Sequence, residues 1–169
     1  MRLVVDASVA TSAGEENERG EGCHEVLQEI LRICHRVTMT EAIEEEWREH
    51  SHKFARAWLH SMYARRKVDW VVPKVDKSLE SRIVWALPRK NDQDTARKDL
   101  HLIQAAIKTD RIVLSADKAA RDCFREATAK VHQLRRIEWA DPTTQSEPIV
   151  EQLKTDDKHR KRFSLGEDD

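Results

Sequence analysis

Two short apolar runs, each ending on a carboxylate, constrain this chain more than any other feature. Leu3-Val4-Val5 leads into Asp6, and Ile112-Val113-Leu114 leads through Ser115-Ala116 into Asp117. Consecutive apolar residues bounded by polar ones read as a short strand buried on both faces, the kind found inside a parallel sheet. In open α/β sheets, ligands bind in the crevice outside the carboxyl ends of the strands. If these two strands are parallel neighbours, Asp6 and Asp117 stand side by side at that crevice. Two close carboxylates repel, so they persist cheaply only with a shared proton or a bound cation.

Around these strands the pattern alternates. A loop over 12–22 precedes a predicted helix over 23–36, with Cys23, Val26, Leu27, Ile30, Leu31 and Cys34 on one apolar stripe. Val37-Thr38-Met39 reads as a second strand. Thr40 is a good N-cap for one long helix or two shorter ones over 41–66, with Ile43, Trp47, Phe54, Ala57 and Trp58 inward. His50 falls on that stripe and reads as a packed or hydrogen-bonded histidine. An extended segment over 69–72 is followed by a helix over 76–87 capped by Asp76. A polar loop over 89–98 then leads to a helix over 99–109, the strand at Ile112 and another helix over 118–128. An edge strand over 131–139, stopped by Pro142, closes the pattern. Strands alternating with helices predict an α/β fold, a three-layer sandwich around a mostly parallel central sheet. Residues 1–142 form one domain. Residues 143–169 read as a polar, partly disordered extension with a helical turn or two over 147–154 and a solvated, basic stretch at His159-Arg160-Lys161-Arg162.

Composition narrows the partners only slightly. Charged residues make up 36% of the 169, yet the net charge is −1, so no global field points to nucleic acid or a membrane. Cys23, Cys34 and Cys123 lack Cys-x-x-Cys or zinc-like spacing and read as reduced thiols, the first and second buried on their stripe. Asp6 interrupts the N-terminal apolar run too early for a signal peptide, and no stretch has the length of a membrane span. The expectation is a soluble, cytoplasmic protein that does not engage a membrane.

Further acids extend the site. Asp99 is both a natural N-cap for the helix over 99–109 and a candidate third carboxylate. A fourth must come from Glu41, Glu44, Glu45, Glu46 or Glu49, a run that ordinarily is a solvated helix face. At about 100° per residue, Trp47, His50 and Phe54 fall within about 40° of Ile43. Glu45 then lies opposite and Glu41 and Glu49 point away. Glu44 and Glu46 flank the stripe on either side, and helical phase does not choose between them.

With these residues in place the sequence resembles the PIN-domain family of metal-dependent nucleases. The resemblance rests on Val5-Asp6-Ala7-Ser8, on Thr40 to Trp47, on Asp99-Leu100-His101-Leu102 and on Leu114-Ser115-Ala116-Asp117, and it covers about residues 1–140. Each motif is weak alone, and their order and spacing together are fairly specific. The resemblance favours Glu46, which directly precedes Trp47, over Glu44, and implies a PIN-like fold with Asp6, Glu46, Asp99 and Asp117 as catalytic and metal-holding residues. Ser8 and Ser115 match small hydroxyl positions beside the first and last acids. Ala116 stands where glycine or asparagine is frequent, and the segment past Pro142 lies outside the common core.

Oxygen-only ligands suit Mg²⁺ or Mn²⁺. A metal of this kind activates water and neutralises a phosphodiester's developing charge. The resemblance implies endonucleolytic hydrolysis of RNA, single-stranded RNA included, leaving a 5′-phosphate, and a role as a toxin beside an antitoxin-like protein partner, in RNA processing or in defence. It also motivates a homodimer, to which Trp58 and Met62 lend large apolar side chains. Because acids repel a polyanion, basic residues must hold the strand. The candidates are Arg65, Arg66 and Lys67, then Arg89 and Lys90, Arg97 and Lys98, and Arg135 and Arg136. The rival reading is a non-catalytic PIN-like module that binds RNA or protein. An aspartate-based phosphatase fits less well, since that class has Asp-x-Asp where this chain has Asp6-Ala7-Ser8.

Overall fold

Residues 1–73, 76–155 and 162–166 are described by the computed structural model of the chain. The elements run β1 (Arg2–Val5), α1 (Ala7–Ser12), α2 (Glu18–Arg32), β2 (Arg36–Met39), α3 (Glu41–His50), α4 (Lys53–Ala64) and β3 (Val68–Trp70). They continue with α5 (Lys77–Ala86), α6 (Lys90–Ile107), β4 (Ile112–Leu114), α7 (Lys118–Ala127), a 3₁₀ turn (His132–Arg136), β5 (Glu138–Ala140) and α8 (Pro142–Thr155). The strands form one sheet in the order β3-β2-β1-β4-β5, with every neighbouring pair parallel. β1 is the central strand, and it runs level with β4: Leu3 pairs with Ile112, Val4 with Val113 and Val5 with Leu114. Leu3, Val4, Val5, Val113 and Leu114 are buried on both sides of the sheet, which is why these runs are uninterrupted by polar residues.

Helices cover both faces. Leu3, Ile112, Leu114 and Ala140 share one face and meet Ile149 and Leu153 of α8 around a small apolar cavity. α8 packs along α2, which also touches α1 and α4. The opposite face carries Trp139, whose ring lies 5.6 Å from that of Phe124 on α7; α7 packs with α5 and α6. The result is the expected α/β sandwich of three layers with an all-parallel sheet.

Several local expectations are corrected. The predicted loop over 12–22 contains the end of α1 and the first turn of α2, which begins five residues earlier than its apolar stripe. Asn17 caps it by accepting from the Gly20 N–H at 2.9 Å. The segment over 41–66, expected as one long helix or two shorter ones, is two, α3 and α4 meeting at Ser51 and His52. His50, at the last position of α3, is exposed rather than packed, and Cys34 is exposed while Cys23 and Cys123 are buried. Trp58 and Met62 are buried within this chain, so they supply no surface for a second copy. The stretch over 131–139 is a 3₁₀ turn before a strand of only three residues.

The largest revision falls on 89–98. This stretch has no apolar period, yet it forms the first half of α6. Ion pairs one turn apart, Lys90–Asp94 at 2.8 Å and Arg97–Asp94 at 3.0 Å, support it, and Ala96 supplies its buried contact.

Pro142 begins a helix instead of ending the fold. Gly22 on α2 lets α8 come close, since a Cβ there would lie 2.4 Å from the Pro142 carbonyl oxygen. Ile149, Val150 and Leu153 are buried. Farther on, Trp139 N–H donates to the Phe163 carbonyl at 2.8 Å and Leu165 N–H to the Ile137 carbonyl at 3.0 Å. Phe163 to Leu165 therefore cover the free edge of β5, which would otherwise present unpaired backbone groups. The expected solvated stretch at His159-Arg160-Lys161, and residues 167–169, lie outside the described residues.

If α8 belongs to the core, Leu153→Ala should cost about 2–4 kcal/mol in urea denaturation, the range for opening a cavity at a buried leucine. A loss below about 0.5 kcal/mol, as for a surface position, would return this segment to the status of an appendage.

Candidate functional site

The register of β1 and β4 brings their carboxyl ends level, and Asp6 N–H donates to the Leu114 carbonyl at 2.9 Å. Beyond those ends opens a cavity of about 430 Å³. Its walls include Asp6, Glu46, Asp99 and Asp117, so acids from β1, α3, α6 and the β4–α7 junction face one space.

Asp6 is tightly placed. Its Oδ2 accepts from Ser8 Oγ at 2.5 Å and from Ser115 Oγ at 2.7 Å. Each hydroxyl in turn accepts from a backbone N–H of the β4–α7 junction: Ala116 N–H to Ser8 Oγ and Asp117 N–H to Ser115 Oγ, both at 3.0 Å. The two serines thus tie the first acid to the backbone that carries the last. Both donate to the same oxygen, which leaves Oδ1 without a donor among the described residues. Asp117 caps α7, its Oδ1 accepting from the Ala120 N–H at 2.9 Å. Cap and cavity wall coincide in this residue.

Asp99 is not a cap. It is the tenth residue of α6, so the helix start that was one reading of it lies elsewhere. The residue is 6% exposed and its Oδ2 is buried with no hydrogen-bond partner among the described residues. Lys98 Nζ stands 4.0 Å from Oδ1. Burial pushes its carboxyl pKa up to about 6; Lys98 opposes that rise, and the charges of Asp6 and Asp117 add to it. A buried carboxylate orphaned mid-helix is costly, and such groups ordinarily meet a partner.

Trp47 settles which glutamate enters the cavity. Its indole Nε1–H donates to the Val5 carbonyl at 2.9 Å and its ring stacks on Trp58, 5.5 Å away. This anchors α3 against the end of β1 and turns Glu46 into the cavity wall. Glu44 instead accepts from Tyr63 Oη at 3.2 Å, toward α4, and does not line the cavity. Glu46 Oε2 lies 3.2 Å from His101 Nε2. That imidazole, first among its neighbours, holds the Glu46 carboxyl below its ordinary pKa. Desolvation alone would lower the pKa of His101, but Glu46, the Lys98 carbonyl and Asp99 outweigh it and the net shift is upward.

Ser8 lines the cavity, Ser115 supports it from beneath, and Lys98 stands on its rim. Arg97 does not reach it; its guanidinium pairs with Asp94 at 3.0 Å and lies 3.8 Å from Glu80. Other basic clusters are also occupied. Lys67 Nζ donates to the Ile30 and Leu31 carbonyls at the end of α2, Arg89 and Lys90 pair with Asp92 and Asp94, and Arg135 donates to the Thr128 carbonyl. The cations on the rim that the sequence did not single out are Arg19 and Lys118, with His50 beside them. Arg19 sits in the first turn of α2, inside the stretch predicted to be loop, so no helical phase was available to aim it.

Four carboxylates on one cavity provide an oxygen-only donor set suited to a hard divalent cation. Among the described residues no group of three or more histidine, cysteine, aspartate or glutamate side chains is drawn together as a metal-holding cluster. Asp99 Oδ2 has no hydrogen-bond partner among the described residues, and Asp6 Oδ1 no donor there, so a cation could reach either oxygen without breaking a contact. The sequence matches no protein-family model and no curated protein. Among the described residues no helix is long and apolar enough to cross a membrane.

The raised pKa of Asp99 sets a pH test on the metal-free protein. The unfolded carboxyl ionises near pH 4 and the folded one near 6, so stability falls as pH rises through this window and stays lower above it. In EDTA, Asp99→Asn should therefore gain about 1–2 kcal/mol at pH 7 after allowance for screening by Lys98 and solvent, and gain nothing near pH 4. Denaturant curves that show the same difference at both pH values would remove the cost assigned to this carboxylate.

Proposed function

We propose that this chain is a metal-dependent ribonuclease that hydrolyses phosphodiester bonds, of the PIN-like kind its motifs resemble. The observation that supports the reading most is that Asp99, which lines one cavity with Asp6, Glu46 and Asp117, has a buried carboxylate oxygen with no hydrogen-bond partner among the described residues. Mg²⁺ or Mn²⁺ is the cofactor such oxygen ligands select. When bound, an ion of this class lowers the pKa of its water and offsets charge on the phosphodiester. The choice of RNA as substrate rests on the resemblance of the motifs around the four acids.

The chain's own residues divide the work. Asp6, Glu46, Asp99 and Asp117 would hold the cation. Ser8 and Ser115 fix the rotamer of Asp6 through paired hydrogen bonds, so that one of its oxygens is spent on structure and the other remains for a ligand. Arg19, Lys98 and Lys118 on the rim attract the substrate's phosphates past the acids, a contribution that weakens with salt.

Mn²⁺ should bind the purified protein and support cleavage of labelled single-stranded RNA, and EDTA should abolish that cleavage. Asp6→Asn and Glu46→Gln should each lower cleavage at least a hundredfold, whereas Glu44→Gln stays within about twofold of wild type, in keeping with the small effects typical of surface substitutions. RNA retained on the protein but not cut under any divalent ion would leave a binding module in place of the enzyme. Loss of activity in the Glu44 variant with retention in the Glu46 variant would overturn the assignment on α3.

A further inference from the structure

His101 stands two residues after Asp99 on α6, nearly enclosed, with its side chain 16% exposed. It does not line the cavity. Its Nδ1 is 3.0 Å from the Lys98 carbonyl oxygen, and since a carbonyl only accepts, Nδ1 carries the hydrogen there. The ring is thereby fixed in its plane, and its other nitrogen faces Glu46 Oε2 at 3.2 Å. Nε2 makes no well-directed hydrogen bond among the described residues, so the contact is one of close approach rather than of an ideal N–H direction.

Glu46 needs such a partner more than Asp6 or Asp117 does. Asp6 is held by two serines and Asp117 by its cap, and both have short side chains. Glu46 has one more rotatable bond and enters from α3, a helix that ends at His50 and is fastened to the sheet through Trp47. Nothing on α3 itself fixes the carboxylate. The only side chain within ion-pair distance of it among the described residues is His101, on α6.

We propose that His101 is a positioning residue, which holds the Glu46 carboxylate at the edge of the cavity from behind and so sets the affinity of the site for a divalent cation. This inference rests on the reading of the cavity as a metal site. Partners behind a ligating group commonly change metal affinity by about tenfold or more when removed.

Two amides separate the contacts of the imidazole. His101→Asn retains a donor near Nδ1, able to reach the Lys98 carbonyl but too short for Glu46. His101→Gln places its amide near Nε2, within reach of Glu46. Mn²⁺ affinity, measured by calorimetry, should fall about tenfold in His101→Asn and stay within about twofold of wild type in His101→Gln. In a Glu46→Gln background the two substitutions should become equivalent, because His101 acts through Glu46. Melting in EDTA accompanies each variant, and a purely structural role would make affinity follow stability instead of the Asn–Gln distinction. Equal Mn²⁺ affinity in the Asn and Gln variants, with the wild type binding normally, would overturn this inference and leave the metal site standing. A wild-type protein that binds no Mn²⁺ would overturn both.

Discussion

The parallel pairing of β1 with β4 is the constraint from which the rest of this structure follows. With Val5 level with Leu114, the backbone after each strand emerges at the same height, and Asp6 N–H closes the last rung on the Leu114 carbonyl. The carboxylate after β1 is therefore placed by a strand hydrogen bond, and the one after β4 by the Ser115 hydroxyl and its cap on α7. Sites built on such rigid elements hold their geometry better than sites built on loops. A slip of β1 by one residue would turn Val4 and Val5 to opposite faces and carry Asp6 away from Ser115. Core packing and site geometry are one requirement here.

That placement has an electrostatic consequence. Asp6 and Asp117 both raise the pKa of Asp99, which already suffers from burial, and Lys98 offsets this only in part. The serine hydroxyls relieve Asp6, but no donor in the described structure relieves Asp99 Oδ2. An apolar residue at this position of α6 would pack without such a cost, as Leu102 and Ile103 do one turn later. A buried acid that weakens the bare fold, surrounded by others that weaken it further, is the arrangement expected where a cation completes the structure.

The strand ends were legible in the sequence because burial on both faces leaves an uninterrupted apolar run, and the final carboxylate marks where the run meets solvent. Parts of the flanking helices were less so. Residues 89–98 carry almost no apolar signal, and the ion pairs that support a helix there become visible only when the spacing of Lys90, Asp94 and Arg97 is read as helical. That omission is what made Asp99 ambiguous. Read as the first residue of a helix it is a cap, and read as the tenth it is a buried charge without a structural task. Past Pro142, the buried Ile149, Val150 and Leu153 are interleaved with polar residues, and their partners lie far away in sequence on α2 and the sheet, so periodicity over so short a stretch conveyed little.

Glu44 and Glu46 show the same limit at the scale of one side chain. Both flank the apolar stripe of α3, and helical phase is symmetric about it. The symmetry is broken by tertiary contacts on each side: Tyr63 of α4 receives Glu44, and His101 of α6 receives Glu46. Trp47 then fixes the roll of the helix, because its indole must reach the Val5 carbonyl while its ring stacks on Trp58. Neither contact can be inferred from α3 alone. The indole bond is made to the residue directly before Asp6, so the same anchor that selects Glu46 also sets its height relative to the first acid. The tryptophan that follows the glutamate is thus part of the physical reason that this glutamate faces the cavity.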